Sequence, residues 1–398
     1  MLPPFTLTAV QQAHYRALAQ ELLNSTLRDY DAFCNQHGRQ MNRKLWKCVK
    51  IRESLTVYKE RDPTPLQHCA AVGPDWVDPK LLVTTGTIVG DLDDAMFGHL
   101  ATDGASMLLK AAITKSRLSG GALLAQIEGP SLEDPFHFLG IKWIAAAPPT
   151  MLNGIIWSRD LIAIEAMGIV VLPNGERIGY HVIKSITLPG VGTLEHESIV
   201  RERVCACRLF RQVANRTIDV YLKGYVDALG KVSDSFALSA TARGFATSWN
   251  SGGCAQYKKL LWLVQQKQQR QTGKSHALQR SFACATCSKK FGTFSLGEIC
   301  HLCDATVCSR CRVNWALYEV DAQELSLYER DATMCKSCIT SASQQDPLEI
   351  IKQEIRSGRF ATPLADTDVK LWTFHGKREG KPRKARTSSY QLAKDVDR

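Results

Sequence analysis

The 398-residue sequence predicts an α+β fold: an antiparallel sheet domain with helices at both ends of its sequence, followed by a small module built around zinc. Three observations carry this. Residues 1–269 begin and end on stretches where apolar side chains recur with helical periodicity. Between them, from Ala122 to Val232, the pattern is mainly the two-residue alternation of strands. Finally, eight of the fourteen cysteines fall in four Cys-x2-Cys pairs between Cys284 and Cys338.

In chain order, residues from Leu7 to Cys34 read as an amphipathic helix, with Val10, Ala13, Leu18 and Leu22 on one stripe. Ile51 to Lys59 alternates as a single half-buried strand, and Pro63, Pro65, Gly73, Pro74 and Pro79 mark a loop. Leu81 to Val89 is β-rich and runs into Asp91, Asp93 and Asp94. That trio reads as an N-cap and acidic first turn for a helix carrying Ala95, Met96 and Leu100, rather than as a magnesium site. Runs at 162–166 and 178–182 flank Pro173-Asn174-Gly175, a hairpin signal. Ile218, Val220 and Leu222 alternate with Asp219, Tyr221 and Lys223, predicting one buried and one more polar face. Gly190-Val191-Gly192 reads as a turn and not a phosphate cradle, since no helix follows it. Asp234 to Gln269 returns to helix, broken at Gly252–Gly253, and 270–281 form a polar linker. The cysteine module covers 282–340. Residues 341–398 are expected to hold one short helix, carrying Leu348, Ile351 and Ile355, and then a basic, disordered tail.

The pairs Cys284/Cys287, Cys300/Cys303, Cys308/Cys311 and Cys335/Cys338 are separated by twelve, four and twenty-three residues. Two thiols three positions apart on a tight turn can both reach one tetrahedral ion at about 2.3 Å. Eight thiolates therefore make two closed four-thiolate sites for two structural Zn²⁺ ions, with no open position for substrate or water. Such sites convert binding free energy into folding free energy in a segment with little core of its own. Spacing alone leaves open whether the pairs combine sequentially or crosswise. Four disulfides would require an oxidising compartment, yet Met1 to Gln11 shows neither a basic n-region nor an apolar h-region, so a reduced, cytoplasmic setting is expected. His301 lies between Cys300 and Cys303, and reads as a surface side chain because the cysteines already fill both spheres. Cys34, Cys48, Cys69, Cys205, Cys207 and Cys254 are scattered, and read as buried free thiols.

The formal charge is +11, and eight thiolates with two Zn²⁺ would lower it by four to about +7. Much of the surplus sits at the C-terminal end, in Lys377, Arg378, Lys381, Arg383, Lys384 and Arg386. Such a run reads first as a solvated arm. A nuclear address, a nucleic-acid contact and an anionic-membrane contact are its functional readings. The cysteine segment has no recognition-helix pattern, which argues against nucleic acid as a partner. No apolar run approaches the roughly 18 residues of a membrane span.

Segments 90–98, 133–143 and 177–181, with their Gly90-Asp91-Leu92-Asp93-Asp94, Phe136-His137-Phe138-Leu139-Gly140 and Arg177-Ile178-Gly179-Tyr180-His181 cores, resemble START-like lipid-transfer domains, in particular those joined to a FYVE-type zinc finger. The resemblance covers about 7–269 for START and 282–340 for FYVE. It implies a helix-grip fold, in which a long C-terminal helix closes a curved antiparallel sheet over a hydrophobic tunnel for one lipid. It also implies a cross-brace, with Cys284, Cys287, Cys308 and Cys311 on one ion and Cys300, Cys303, Cys335 and Cys338 on the other. A RING finger, with its mid-cluster histidine, fits the spacing less well. The finger is degenerate, however. FYVE domains that read phosphatidylinositol 3-phosphate carry a basic run around the third cysteine, where this chain has Leu296, Gly297, Glu298, Ile299, Cys300 and His301. The arginine expected two before the seventh cysteine is Thr333. Charge-assisted donors are what hold a phosphate, so specific binding of that lipid is not expected.

The expected function is therefore non-catalytic: a zinc-binding protein whose START-like domain holds a hydrophobic lipid and whose finger docks a protein or an anionic membrane, with Lys289, Lys290 and Phe291 as weak membrane contacts. By the resemblance it is cytoplasmic and peripheral to endosomal membranes. The alternatives are an effector-type scaffold with no lipid ligand and, further off, a ubiquitin ligase or hydrolase. No Gly-x-Ser-x-Gly elbow is present. His137, His181 and Glu165, the candidate acid–base groups, stand isolated in the sequence.

Overall fold

A computed structural model describes residues 6–62, 71–73, 75–148, 151, 155–189, 191–194, 197–230, 232–271, 281–292, 297–360 and 371–375. The chain opens with helix α1 (Ala9–Asn35), whose Thr8 cap and Gln11 form a reciprocal capping box. Strands β1 (Trp46–Arg52), β2 (Leu55–Glu60) and β3 (Lys80–Val89) lead to α2 (Leu92–His99) and α3 (Gly104–Thr114). Strands β4 (Leu118–Glu128), β5 (Phe138–Ala146), β6 (Ser158–Val171), β7 (Arg177–Ser185), β8 (Ile199–Arg201), β9 (Arg203–Ala214) and β10 (Thr217–Asp227) follow. They form one ten-stranded sheet in the order β1-β2-β3-β10-β9-β7-β6-β5-β4, antiparallel throughout, with β8 added in parallel to β6. Helices α4 (Asp234–Phe245) and α5 (Ser251–Gln271) complete this part.

The α+β layout is thus as the sequence predicts, with three departures. The run from Ile51 to Lys59 is a hairpin, not one strand: Glu53 takes the left-handed φ of +51° and turns the chain between β1 and β2. The expected polar face of β10 is buried. Asp219 and Tyr221 are 4% and 6% exposed because α1 covers them, with Tyr30 and Arg39 both bound to the Asp219 carboxylate. The C-terminal helix breaks at Ala246–Asn250, ahead of the glycine pair, and continues to Gln271 through the start of the expected linker.

The break splits the labour of the helix. Ala242 and Phe245 of α4 pack on Leu82, Ala206, Leu222 and Val226 of the sheet. Helix α5 turns aside and lies along α2, where the Gly98 Cα faces the Ser251 carbonyl so closely that an added Cβ would sit 2.2 Å from it. The sheet's two faces carry separate cores. On one, Leu23, Tyr30 and Phe33 of α1 meet Ile141, Trp143, Ile164, Cys205 and Cys207. On the other, Ala95, Met96 and Phe97 of α2 meet Leu55, Leu123, Phe138 and Phe210.

Beyond 281 come β11 (Glu298–Ile299) with β12 (Thr306–Val307), then β13 (Arg312–Asp321) with β14 (Ser326–Cys335), both pairs antiparallel. Helices α6 (Lys336–Ser343) and α7 (Pro347–Arg356) follow, so the region after Cys338 holds part of one helix and all of a second. Residues expected in the tail form β15 (Thr373–Phe374), parallel to β14. The basic run from Lys377, most of the linker, and Pro63, Pro65, Pro74 and Gly190 lie outside the described residues.

Candidate metal centre

Cys284 and Cys287 lie in a turn closed by the Ala283–Lys290 bridge, and the other three Cys-x2-Cys pairs each sit where two structural elements meet. After Cys287 and after Cys303 the chain takes the same knuckle: Ser288 and Asp304 adopt left-handed φ values of +58° and +60°. In parallel, Ser288 N–H bonds Cys284 O at 2.8 Å and Asp304 N–H bonds Cys300 O at 2.9 Å. Cys308 and Cys311 occupy the turn from β12 into β13, and Cys335 ends β14 and caps α6, accepting the Cys338 N–H at 3.3 Å.

Two groups result. Cys284, Cys287, Cys308 and Cys311 bring their sulfurs within 4.8 Å of one another, and so do Cys300, Cys303, Cys335 and Cys338. This is the crosswise combination, which the spacing left open. A tetrahedral ion with metal–sulfur bonds of about 2.3 Å requires sulfur–sulfur edges of about 3.8 Å. Cys287 Sγ and Cys308 Sγ are 3.7 Å apart, and Cys303 Sγ and Cys335 Sγ 3.8 Å. Backbone N–H groups complete the fit: Cys308 N–H points at Cys284 Sγ at 3.4 Å, and Cys335 N–H at Cys300 Sγ at 3.2 Å. Donors aimed at sulfur favour the thiolate. The Cys300 thiol is lowered to about 4, chiefly by the Cys338 thiol and also by the N–H groups of Cys303, Cys335 and Leu302, against its burial. The residues present therefore fit two metal ions of zinc's size and coordination, and every described cysteine is free of disulfides.

His301 belongs to neither group. It is half-buried, with Nε2 3.1 Å from Arg330 Nη1, and burial together with Arg330 and Lys267 lowers its pKa. Beside it, Glu298 accepts the Thr333 hydroxyl at 2.6 Å and pairs with Arg312 at 3.1 Å. The surface that would cradle a phosphate thus carries a carboxylate paired with Arg312 and an imidazole whose Nε2 faces Arg330. Lys289 is exposed, while Phe291 packs into the core around the clusters. Of the scattered cysteines, Cys205, Cys207 and Cys254 are buried as expected, Cys34 is half-buried, Cys48 is exposed, and Cys69 lies outside the described residues.

The cysteine module is not a bead on a string. Its core merges with one face of α5, where Cys254, Tyr257, Leu260 and Val264 pack with Cys284, Cys300, Val307, Leu317 and Met334. The Tyr257 hydroxyl donates to Ala316 O at 2.9 Å and accepts the Tyr318 N–H at 2.7 Å. Lys267 reaches His301 O at 2.9 Å and Asp304 at 2.5 Å.

The interior beneath α2 holds a second constellation, one that sequence reasoning took for isolated residues. Glu165 lies 2.9 Å from Lys142 and 3.2 Å from His181, while His137 stands apart, 2.6 Å from Glu128. Burial would raise the Glu165 carboxyl, but Lys142, His181 and Lys110 hold it well below the usual carboxylate range. Three lysines converge on the C-terminal carbonyls of α2: Lys258 on Phe97 O and Leu100 O at 2.8 and 2.5 Å, Lys110 on His99 O at 2.7 Å, and Lys142 on Ala101 O at 2.5 Å. Cations there answer the negative end of the helix dipole and its unpaired carbonyls. His99 Nδ1 donates to Ala95 O at 3.1 Å, leaving Nε2 to accept from Arg208 at 3.2 Å. Only Lys142 left a trace in the sequence, as a lone cation in the apolar run from Phe138 to Trp143. The acidic trio divides as well, Asp93 pairing with Arg177 at 2.6 Å and Asp94 with Lys259 at 2.6 Å.

Among the described residues the surface includes two open clefts. One, of about 310 Å³, lies between the α2 N-terminus and the β6–β7 turn and is lined by Asp91, Asp93, Glu176, Arg177 and Gln212. The other, of about 220 Å³, runs between α4 and the ends of β3 and β10, and its lining mixes Leu82, Val226 and Leu238 with Lys80, Asp227 and Asp234.

The fold and its clusters define an α+β protein with a large antiparallel sheet and two four-cysteine groups in its C-terminal region. No family model and no curated protein matches the chain. Solved structures similar to it include human STARD10, with 11% identity over 62% of this chain and 83% of that chain at a TM-score of 0.37. Human StAR-related lipid transfer protein 5 shares 12% identity over 60% and 97%, at 0.40. A STAR-related lipid transfer protein from Xanthomonas axonopodis shares 11% over 52% and 98%, at 0.34. Likeness at this distance says nothing about what the chain binds.

Proposed function

We propose that this chain is a non-catalytic docking scaffold, in which a START-like sheet domain presents a FYVE-like finger folded around two structural zinc ions. Residues 6–271 form the sheet domain and 281–343 the finger, with α5 as their shared joint. Cys284, Cys287, Cys308 and Cys311 would hold one ion and Cys300, Cys303, Cys335 and Cys338 the other. Bound zinc would offset half of the charge of the eight thiolates and tie the four sulfurs of each group together, with no reactive position left open. One observation carries the reading: each cluster gathers four sulfurs within 4.8 Å of one another, with an edge of 3.7 Å in one and 3.8 Å in the other, and both are built into the same core as α5.

The sheet's interior supports a scaffold over a lipid carrier. Where a tunnel would run, α2, Phe138, Met167 and Phe210 fill the space, and Lys142 with Glu165 bridges it. A buried ion pair against aromatic side chains leaves an apolar chain little to gain by entering. A second reading, a small ligand with an apolar body and a polar end, is favoured only by the cleft beside α4, where Leu82, Val226 and Leu238 meet Lys80, Asp227 and Asp234.

Elemental analysis of the purified chain should return two zinc equivalents, and liposome co-sedimentation should show no gain from phosphatidylinositol 3-phosphate over other anionic lipids. Fewer than one metal equivalent in a folded chain would overturn the finger assignment. Headgroup-specific sedimentation would overturn the account of Glu298 and His301. Extraction of a stoichiometric lipid from the purified chain would favour the second reading.

A further inference from the structure

Strand β1 is an edge of the ten-stranded sheet, and the charge around it is unlike that of the rest of the domain. Its hairpin with β2 and the turn before it hold Arg43, Lys44, Lys47, Lys50, Lys59 and Arg61, with only Glu53 and Glu60 as acids between them. Among the described residues none of these six cations has a carboxylate partner, and Arg61 reaches only the Arg43 carbonyl, at 2.9 Å. A seventh cation, Arg52, lies over the Trp249 ring at 4.8 Å. Elsewhere on the domain surface cations are matched, as Lys80 is with Asp78, Arg177 with Asp93 and Arg211 with Glu176. The register adds to the crowding, because Lys47 lies directly opposite Lys59. Like charges facing one another across a strand pair destabilise it, so the fold gains nothing from this arrangement.

Apolar side chains share this surface. Trp46 and Val49 turn inward, to the cores beneath α1 and α4, while Leu45 and Ile51 stand 61% and 65% exposed at either end of β1. Lysines on an edge strand guard it against pairing with another strand, and the register shift between Cys48 and Lys50 serves the same end. A guard of that kind has no use for an exposed leucine and isoleucine among its cations.

Cations interleaved with exposed aliphatic side chains are what an anionic bilayer surface binds. The charges meet lipid headgroups, and the apolar groups enter the boundary beneath them. A single-stranded nucleic acid would be met instead by aromatic faces for stacking, and here Trp46 and Tyr58 are both half-buried. We propose that the β1–β2 hairpin is a membrane-docking surface, on which the sheet domain rests edge-on against an anionic bilayer with Leu45 and Ile51 at the headgroup boundary. It lies on the sheet domain, apart from the finger, and needs no zinc.

The test is co-sedimentation of the full-length chain with vesicles of phosphatidylserine and phosphatidylcholine in equal parts, against vesicles of phosphatidylcholine alone. Binding should require the anionic lipid and weaken as salt rises, because the attraction is screened. Lys44→Glu with Lys47→Glu and Lys50→Glu should lower it about ten-fold or more. Leu45→Ser with Ile51→Ser, which keeps every cation, should lower it several-fold. Lys381→Glu with Arg383→Glu and Lys384→Glu, in the basic run near the C-terminus, should leave it unchanged. If the glutamate hairpin variant fails to fold, glutamine at the same three positions removes the charge alone and should act in the same direction. Equal sedimentation of wild type and the folded hairpin variants, or a loss confined to the C-terminal variant, overturns the proposal. So does a chain that binds a single-stranded oligonucleotide more tightly than the vesicles and is indifferent to Leu45→Ser with Ile51→Ser, because the hairpin would then hold polyanions rather than a membrane.

Discussion

At the scale of single residues, the sharpest test lies in the Lys142–Glu165 pair. Their side chains are 1% and 8% exposed, so neither charge is served by water. Replacing two such groups by apolar ones of similar volume is often neutral, whereas removing one leaves the other stranded. Lys142→Met should therefore cost about 3–5 kcal/mol in denaturant unfolding, and Lys142→Met with Glu165→Leu should recover most of it. The pH dependence follows with a definite sign. In the wild type the Glu165 carboxyl is held low, so its stabilisation is present above the unfolded carboxylate range and lost only as pH falls through the folded value. In Lys142→Met the deficit is a negative charge, which one proton on Glu165 or His181 removes. The variant should lose least near pH 5 and most near pH 8. A pH-independent deficit, or a double variant no better than the single, would show that the pair is not the unit of stability.

At the scale of elements, the crossing of α2 and α5 has the least slack. Gly98→Ala would place a methyl 2.2 Å from the Ser251 carbonyl and 3.2 Å from the Ala255 nitrogen, both backbone atoms that no rotamer change can move. Overpacking of this kind costs about 1–3 kcal/mol and shifts the helices. Thermal unfolding should fall by several degrees, while Gly244→Ala on α4, with open space around its Cα, should stay close to wild type.

Much at this scale was legible in the sequence, for physical reasons that also explain the failures. The Pro173-Asn174-Gly175 turn is a local code, written within a few residues and read correctly, and the four Cys-x2-Cys pairs are another, whose sulfurs gather into two groups. The Thr8 capping box is a third, and was overlooked. Helix α3 carried such a code as well, in the reciprocal capping of Asp103 and Ser106, and was overlooked between the helix read at Ala95–Leu100 and the strand pattern that begins at Ala122. What could not be read depends on partners distant in sequence. The burial of Asp219 is decided by Arg39 and Tyr30, and the pairing of Glu165 with Lys142 by strand register. The helix breaks at Ala246–Asn250 because α4 must grip the sheet while α5 must meet the finger, a demand absent from the local sequence.

At the scale of the whole molecule, α5 makes metal occupancy a property of both halves. One face of this helix buries Tyr257, Leu260 and Val264 against the cysteine core, and Lys267 holds the carbonyl of His301, next in sequence to Cys300. If the two cysteine groups hold ions as proposed, stripping them leaves eight thiols with no reason to stay within 4.8 Å of one another, so 281–343 should lose its order. The face of α5 it covered would then meet water, while the opposite face keeps its packing on α2. Hydrogen exchange after chelation should therefore show protection lost across 281–343 and reduced along 254–271, with β5, β6 and β9 unchanged. Restoring zinc should restore both. Cys300→Ser and Cys284→Ser should each release about one equivalent of metal, and the first should loosen α5 more, because its cluster lies on the Lys267 side. Chelation that melts the finger and leaves α5 fully protected would show the two halves to be merely adjacent, and the joint would then lie elsewhere.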